Sequence, residues 1–457
     1  MLHVVILAAG EGKRMRSAQP KVLQPLAGRP MLCHLIDTVA SLSPARIDVV
    51  VGAGAEQVEQ ALSPYAAQLP VHFPMQRERL GTGHAAQQAL AHQAVDDSSR
   101  VLILSGDMPL VRAETLQALL ASEADLALLS FMADDPTGYG RVLRDEAGAV
   151  IGIREQRDAN DSELAIQEVN SGVLCATTGA LRQWLAAIKS DNAQGEYYLT
   201  DCMAIAAGKG YRVEALPVAA ADELMGANDR AQLAALEQAF QQRARQALMA
   251  DGAQLLDPDT VYVRGAVTVG ADVCIDAGVV LNGEVCLGEG VSIGVGCVIT
   301  DTELAAGTRV EPYCVLDGVR TEGACQVGPF ARLRPDTVLS AEVRIGNFVE
   351  VKNSHFATGA KANHLSYVGD AEVGAAANIG AGTITCNYDG ANKHRTEIGA
   401  GAFIGSNSAL VAPVKVGEGA TIGAGSTISK DAPEQALTLT RAPQQTIPGW
   451  PRPRKGS

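Results

Sequence analysis

From Val267 to Ile428 aliphatic side chains return every six residues. Val269, Ile275, Leu281, Leu287, Ile293 and Ile299 keep this beat, and Val267, Val273, Val279, Val285, Val291 and Cys297 stand two places before them. The register slips and resumes with Leu304, Val310 and Leu316, then with Val327, Leu333, Leu339, Ile345 and Val351, then with Val373 and Ile379. The last run is Ile398, Ile404, Leu410, Val416, Ile422 and Ile428, preceded by the smaller Thr396, Ala402, Ser408, Val414, Ala420 and Ser426. A helix repeats every 3.6 residues and a strand every two, so neither explains a period of six. A hexapeptide parallel β-helix does. Each hexapeptide supplies one short strand and one turn, and three close a triangular coil of about 18 residues. Roughly nine or ten such coils are expected. One aliphatic side chain per hexapeptide points inward and small residues fit the corners. Aromatic residues make up only 4% of the chain, as expected if Phe and Trp are too large for so narrow a prism.

The first ~225 residues follow a different rule. Short apolar runs, Val4–Leu7, Asp48–Val51, Val101–Leu104 and Leu126–Leu129, alternate with helix-like stretches such as His84–Ala94 and Ala113–Ala121. Continuous apolar runs suit strands buried on both faces, so a parallel sheet flanked by helices is predicted. Ligands of such sheets sit beyond the carboxyl ends of the strands. Asn228-Asp229 then offers a cap, Leu233, Leu236, Phe240 and Leu248 recur at helical spacing, and Gly252 ends the helix. The predicted organisation is an α/β domain over 1–228, a linker helix over 229–251 and a β-helix with a tail over 252–457.

The chain has 457 residues and a net charge of −14, which argues against nucleic-acid or polybasic membrane partners. No apolar stretch approaches the ~20 residues of a membrane span, and the N-terminus lacks the basic start of a secretory signal. Nine scattered cysteines without Cys-x-x-Cys pairs fit reduced thiols in a cytoplasm, and none of the His/Cys spacings suits zinc.

Three strand-following segments carry candidate chemistry. In Leu7-Ala8-Ala9-Gly10-Glu11-Gly12-Lys13-Arg14 small residues let the backbone approach a nucleotide, and Arg14 and Lys21 can reach phosphates. The spacing fails as a dinucleotide fingerprint after Gly12, and an ordinary glycine-rich turn gives the same composition. In Ser105-Gly106-Asp107 a carboxylate stands at a strand's carboxyl end, where Mg²⁺ can be held, although a turn-capping Asp has the same look. Gln76, with Leu80-Gly81-Thr82-Gly83, can read a base edge. In the second half the register breaks are the informative places. One holds Lys352, His364 and Tyr367; the other holds Thr385-Cys386-Asn387-Tyr388-Asp389-Gly390. Loops leaving a prism serve no core purpose, so their polar content hints at function.

The first segment resembles the sugar nucleotidyltransferase family, and the hexapeptide half resembles acyltransferases of left-handed parallel β-helix fold. The combination carries Pro136-Thr137-Gly138-Tyr139-Gly140-Arg141, Val169-Asn170-Ser171-Gly172, Gly195-Glu196-Tyr197-Tyr198-Leu199-Thr200-Asp201 and the run from Asn378 to Gly390. Together these motifs resemble the bifunctional uridylyltransferase/acetyltransferase family over nearly the whole chain. The resemblance implies a Rossmann-like nucleotidyltransferase domain and synthesis of UDP-N-acetylglucosamine for cell-wall precursors. Acetyl-CoA would first acetylate glucosamine 1-phosphate. UTP would then convert N-acetylglucosamine 1-phosphate, releasing pyrophosphate.

For the first site the resemblance implies uridine on Leu7, Ala8, Ala9, Gly10, Gln76, Gly81 and Thr82, with Ser105 and Gly106 nearby. Arg14, a catalytic candidate, and Lys21 would neutralise the triphosphate. Asp107 and Asn228 would bind Mg²⁺, and Gly140, Glu155 and Asn170 would grip the amino sugar. Lys13 stands where that family usually has Thr, and Ser105 where many members have Tyr. For the second site it implies His364 as the base that takes the amine's proton, a role suited to a neutral imidazole. Arg334 and Lys352 would bind the sugar phosphate, Tyr367 and Asn378 the sugar, and Asn387 and Tyr388 the reacting amine and phosphate. Ala381, Ser406, Ala424 and Arg441 would line the acetyl-CoA groove. Cys386 is expected to pack rather than to act as a nucleophile. A homotrimer is expected from fold analogy. Two other readings stay open on the residues alone: a pyrophosphorylase whose prism only oligomerises or regulates, and a non-catalytic assembly subunit.

Overall fold

The computed structural model describes residues 1–10, 12–91 and 96–452. Glu11, residues 92–94 of the expected helix His84–Ala94, and the tail residues Pro453, Arg454 and Lys455 lie outside the described residues. Two compact units divide the chain, Met1–Phe240 and Gln241–Ser457.

In the first unit the apolar runs become strands of one nine-stranded sheet. Its main path is Val213–Pro217, Leu126–Met132, Glu168–Thr177, Arg100–Ser105, Leu2–Leu7, Arg46–Val50 and Val71–His72. Buried residues cover both faces, with Leu35, Ile36 and Leu116 on one side and Ala86, Leu181 and Trp184 on the other. The sheet departs from the parallel one predicted. Glu168–Thr177 runs antiparallel to both neighbours, and the hairpin Arg141–Arg144/Val150–Arg154 joins its edge. The chain returns through a hairpin here, and antiparallel strands need no helical crossover. From Leu2–Leu7 the chain first builds outward through Arg46–Val50 and Val71–His72, then crosses to Arg100–Ser105 on the opposite side. The strand order therefore reverses beside Leu7 and Ser105, and a crevice opens at such a switch point. The helix expected over His84–Ala94 spans Thr82–Leu90.

Helix Arg230–Ala250 starts where the Asp229 side chain accepts the amide of Gln232, and ends before Gly252, which takes φ +106°. Leu233 and Leu236 belong to a core of the first unit, and Leu248 to the core of the second.

The second unit is a parallel β-helix. One face is an eleven-stranded sheet from Gln254–Leu255 to Leu437–Thr438, and the other two faces join into a sixteen-stranded sheet. Residues on successive rungs pair at 17 or 18 places, as in Ile275↔Ile293, Ile293↔Val310 and Ile345↔Ala362. The aliphatic series of the sequence stacks inside: Leu339, Ile345 and Val351 fill one coil, and Ile398, Ile404 and Leu410 another.

Two expectations are corrected here. The stretch between Val351 and Val373 does not leave the prism. Ser354–Phe356, Lys361–His364 and Tyr367–Gly369 are rungs, and Phe356, Ala362 and Val368 point inward. Moreover, Phe356 is fully buried in an interior expected to exclude it. It stacks between Leu339 and Val373, while Ala360 and Ala362 of the same coil are small and fully buried. One large side chain with small neighbours conserves the volume that close packing requires. Phe356→Ala is accordingly expected to cost about 3–5 kcal/mol, seen as an earlier thermal transition of this unit. The second break does form a loop. Rungs Ile379 and Ile404 pair across 25 residues, and the longer connection, 387–395, forms a loop between rungs Ile384–Cys386 and Thr396–Ile398.

Candidate functional sites

At the switch point the first unit holds a cavity of about 500 Å³. Leu7, Ala8, Ala9 and Gly10 follow the central strand into its wall, and Ser105 and Asp107 enter from the neighbouring strand. Lys21, Gln76, Gly81, Thr82, Gly140, Glu155 and Asn170 complete the set of expected residues lining it. The Gly106 amide donates to Leu7 O at 2.9 Å and ties the two loops together. Gln76 Nε2 donates to Gly81 O at 3.0 Å. Arg14, Gly106 and Asn228 are not in the wall, and Arg14 is exposed on the turn Lys13–Met15.

Asp107 is buried and held at both oxygens. Ser105 Oγ donates to Oδ1 at 2.5 Å, and Lys21 Nζ donates to Oδ2 at 2.5 Å and to Asn228 Oδ1 at 3.1 Å. A Cβ on Gly226 would lie 3.0 Å from the carboxyl group, so glycine leaves the space it occupies. The carboxylate and the amide oxygen thus converge on one cationic point, marked by an ammonium. Hard oxygens in this number suit Mg²⁺, which keeps its other positions for phosphates and water, so the donor set fits that ion. Among the described residues no group of three or more His, Cys, Asp or Glu is placed to hold a metal by itself.

The sugar end differs in character. Thr200 Oγ1 donates to Glu155 Oε1 at 2.9 Å. Burial pushes the Glu155 carboxyl up; the Thr200 hydrogen bond opposes this, and Asp201 and Asp158 add to the rise. Tyr139 also lines the cavity, and burial, with the nearby Asp107 charge, pushes its phenol up. Arg79, Glu196 and Thr200 share this wall and were missed as separate candidates, although the motif Gly195–Asp201 contains two of them.

On the β-helix the expected residues fall into two groups. His364, Ala381, Ser406 and Ala424 occupy equivalent positions on successive rungs, each two places after the paired inward residues Ala362, Ile379, Ile404 and Ile422. They form one line along a corner of the prism. Thr440 takes the equivalent place on the next rung, and Arg441 after it sets its guanidinium beside Gly423. His364 Nδ1 and Asn347 Oδ1 are 2.9 Å apart across the ladder. With the ring hydrogen on Nδ1, that contact is a donated bond and the Nε2 lone pair is free to take a proton.

The second group surrounds a cavity of about 470 Å³ lined by Asp336, Lys352, Asn353, Asp370, Lys393, His394 and Arg395. Arg334 lies one rung from Lys352 and pairs with Glu350 at 3.0 Å. The adjacent Lys393 ammonium pushes the Lys352 amine down from its usual value. Such crowding of cations is relieved by a bound anion. Asn387 is buried, with Nδ2 donating to Asp370 Oδ2 and lying 3.3 Å from Tyr367 Oη. Gly369 permits this meeting, because a Cβ there would lie 2.4 Å from Tyr367 Oη. Tyr388 is exposed on the 387–395 loop and donates to Gly390 O. Asp389 anchors that loop by accepting the Asn392 amide, a bond from His394 and the Ala391 amide, which hold its carboxyl well below the usual range. Asn378 sits on the neighbouring face, paired with Lys361 and Phe403, outside this cavity. Cys386 is half-buried in its rung, and all nine cysteines are free thiols. Asp370, Lys393 and Arg395 were missed; the run Lys393-His394-Arg395 inside the register break was the available signal.

Residues 4–168 match the MobA-like NTP transferase domain, and residues 395–430 match the bacterial transferase hexapeptide (six repeats). Along its whole length the chain is similar to curated proteins. It is 55% identical over 456 residues to "Bifunctional protein GlmU" of Stenotrophomonas maltophilia (strain K279a), covering 100% of this chain and 99% of that protein. The protein of the same name from Alkalilimnicola ehrlichii is 55% identical over 454 residues, covering 99% and 96%. The one from Ralstonia nicotianae is 52% identical over 456 residues, covering 99% of each chain.

Proposed function

Since the chain belongs to the family of the bifunctional GlmU proteins, we propose how its two units divide the synthesis of UDP-N-acetylglucosamine. The chain is a bifunctional enzyme, with a nucleotidyltransferase in the first unit and an acetyltransferase in the hexapeptide unit. The observation that supports the assignment is that candidate groups meet in each unit: Lys21 bonds to both Asp107 and Asn228 at the sheet's switch point, and His364 heads a corner line of small residues.

In the acetyltransferase, Arg334, Lys352 and Lys393 hold the phosphate of glucosamine 1-phosphate, Tyr367 holds the sugar with Asn378 reaching it from the neighbouring face, and Asn387 and Tyr388 meet the reacting amine and phosphate. Acetyl-CoA lies along Ala381, Ser406 and Ala424, with Arg441 on its phosphates. The amine nitrogen attacks the thioester carbon, His364 Nε2 takes the amine's proton, and the C–S bond breaks with its electron pair passing to sulfur, which receives that proton from the imidazolium and leaves as the CoA thiol.

In the nucleotidyltransferase, Leu7 to Gly10, Gln76, Gly81 and Thr82 hold uridine, while Arg14 and Lys21 neutralise the triphosphate. Gly140, Glu155 and Asn170 hold N-acetylglucosamine 1-phosphate. Its phosphate oxygen bonds to the α-phosphorus, and the bridging P–O bond breaks with its electron pair passing to pyrophosphate. Mg²⁺ on Asp107 and Asn228 supplies charge neutralisation when bound. The test is the purified chain in two assays, free thiol from acetyl-CoA with glucosamine 1-phosphate, and pyrophosphate from UTP with N-acetylglucosamine 1-phosphate. Absence of either signal removes one half of the proposal.

Glu155 makes a pH prediction. Because its carboxyl is pushed up, it loses its charge on acidification at a higher pH than an ordinary carboxylate. KM for N-acetylglucosamine 1-phosphate should therefore begin to rise at correspondingly higher pH. Thr200→Val removes a hydrogen bond that holds the value down, so this limb should move further up; an unmoved limb would contradict the assignment of Glu155.

We also propose a homotrimer in the cytoplasm. Tyr313, Phe330 and Phe348 stack outside the prism at centroid distances of 5.2 and 5.5 Å, each about half exposed, which supports a face covered in an assembly. Light scattering should give three times the chain mass. Nine free thiols fit a reducing compartment, and among the described residues no helix is long and apolar enough to cross a membrane.

A further inference from the structure

Asp370 lies at the bottom of the cationic cavity of the β-helix, buried, in a left-handed conformation of φ +51°. Beside Asp336 it is a second carboxylate in a pocket where Lys352, Lys393 and Arg395 gather, out of keeping with a site for a phosphate. Its partners explain it. Oδ1 accepts from Asn353 Nδ2 and Oδ2 accepts from Asn387 Nδ2, so both oxygens are committed to amide groups. The Asp370 charge acts on the Lys352 amine through space, opposing the downward push of Lys393, while its hydrogen bonds go to the two amides.

This arrangement decides which way the Asn387 amide points. An Asn side chain can rotate by half a turn and exchange its oxygen for its nitrogen with little change of shape. A carboxylate only accepts, so Asp370 can face only the NH₂ end. Tyr367 Oη, 3.3 Å from the same nitrogen, lies on the same side. Asn387 Oδ1 is thereby left as an acceptor, and it takes no hydrogen bond from the described residues. An acceptor is what a neutral amine needs from a neighbour. One N–H bonds to Oδ1, the second proton goes to His364, and the lone pair is left to point at the thioester carbon. The reverse rotamer would present an NH₂ group, which repels N–H and competes for the lone pair.

We propose that Asp370 is a positioning residue for acetyl transfer: it fixes the Asn387 amide with its oxygen toward the substrate amine. This rests on the acetyltransferase reading of the site, and it assigns Asp370 no direct contact with substrate. Misaligning one acceptor at the reacting nitrogen should cost about 10-fold or more in kcat, while phosphate binding, made by other residues, changes little.

The experiment is a reciprocal exchange followed by the thiol-release assay with glucosamine 1-phosphate varied. Asp370→Asn should lower kcat about 10-fold or more with KM altered less than about 3-fold. Asn387→Asp should also be impaired, because two carboxylates then meet. In the double variant, the amide introduced at position 370 would donate to the carboxylate at position 387, whose other oxygen again accepts from the amine. Its kcat should exceed that of either single variant by about 5-fold or more, the coupling expected of groups in direct contact. A purely structural role predicts parallel losses of melting temperature and activity with no recovery in the exchange. Wild-type kcat in Asp370→Asn, or an exchange no better than the worse single variant, would overturn the proposal. His364→Ala and Asn387→Ala separate the two levels: if both retain thiol release, the acetyltransferase reading itself fails. Pyrophosphate release from UTP is expected to stay at wild-type level in all of these variants, showing that the first unit remains folded.

Discussion

His364→Ala is expected to reduce thiol release from acetyl-CoA by about 10²–10⁴-fold, the usual range for loss of a positioned acid–base group, with UTP-dependent pyrophosphate release unchanged. The expectation rests on how the ring is held. Its Nδ1 contacts Asn347 Oδ1 on the adjacent rung, so the imidazole stands in one orientation with Nε2 as the open acceptor. The rung itself is rigid, because Ala362 behind it is fully buried and Ser366 Oγ donates to His364 O at 2.8 Å. Alanine at 364 removes no core contact, and the melting temperature should therefore stay within a degree or two of wild type. Asn347→Leu offers a finer control. It releases the ring while leaving the imidazole in place, and should lower kcat without raising KM for glucosamine 1-phosphate. Full thiol release from His364→Ala would place the proton acceptor elsewhere.

Asp107→Asn should be as damaging to the other reaction, lowering pyrophosphate release by about 10²–10³-fold while acetyl transfer continues. The substitution is nearly isosteric, so the space left by Gly226 still accommodates it. What is lost is charge. Lys21 and any divalent cation would face a neutral amide, and the bond from Ser105 would weaken. The defect should respond to Mg²⁺: raising its concentration should recover part of the Asp107→Asn loss but none of a Lys21→Met loss, since the latter removes a cation rather than a cation ligand. A metal-independent defect in Asp107→Asn would argue that the carboxylate serves only to hold Lys21.

Much of this is legible in the sequence for specific reasons. Inward positions of a narrow prism accept one kind of side chain, so Ile398, Ile404, Leu410 and Val416 announce their rungs directly. Strands buried on both faces announce themselves likewise, as Val101–Leu104 does. Less legible is any feature set by neighbours distant in sequence. Phe356 breaks the aliphatic pattern, and only the presence of Ala360 and Ala362 in the same coil lets it fit. A gap in the expected beat therefore reads as a departing loop although the coil continues. The direction of Glu168–Thr177 depends on which strands flank it, which its own residues do not encode. Ser105 reads as the loss of an aromatic residue, whereas its hydroxyl is the group that holds Asp107 Oδ1. Asp370 escapes notice because its partners Asn353 and Asn387 lie 17 residues away on either side, a spacing that has meaning only once the coil has been closed.

The corner line from His364 through Ala381, Ser406 and Ala424 has a metric consequence. Rungs of a parallel sheet stand about 4.8 Å apart, so three steps along this edge span roughly 14 Å, and Arg441 lies beyond the last of them. The separation between the proton acceptor and the terminal guanidinium is thus counted in whole windings and cannot be adjusted by degrees. Excising one winding between them would shorten the gauge by a full tooth, leaving both ends chemically intact but no longer able to grasp the same molecule at once.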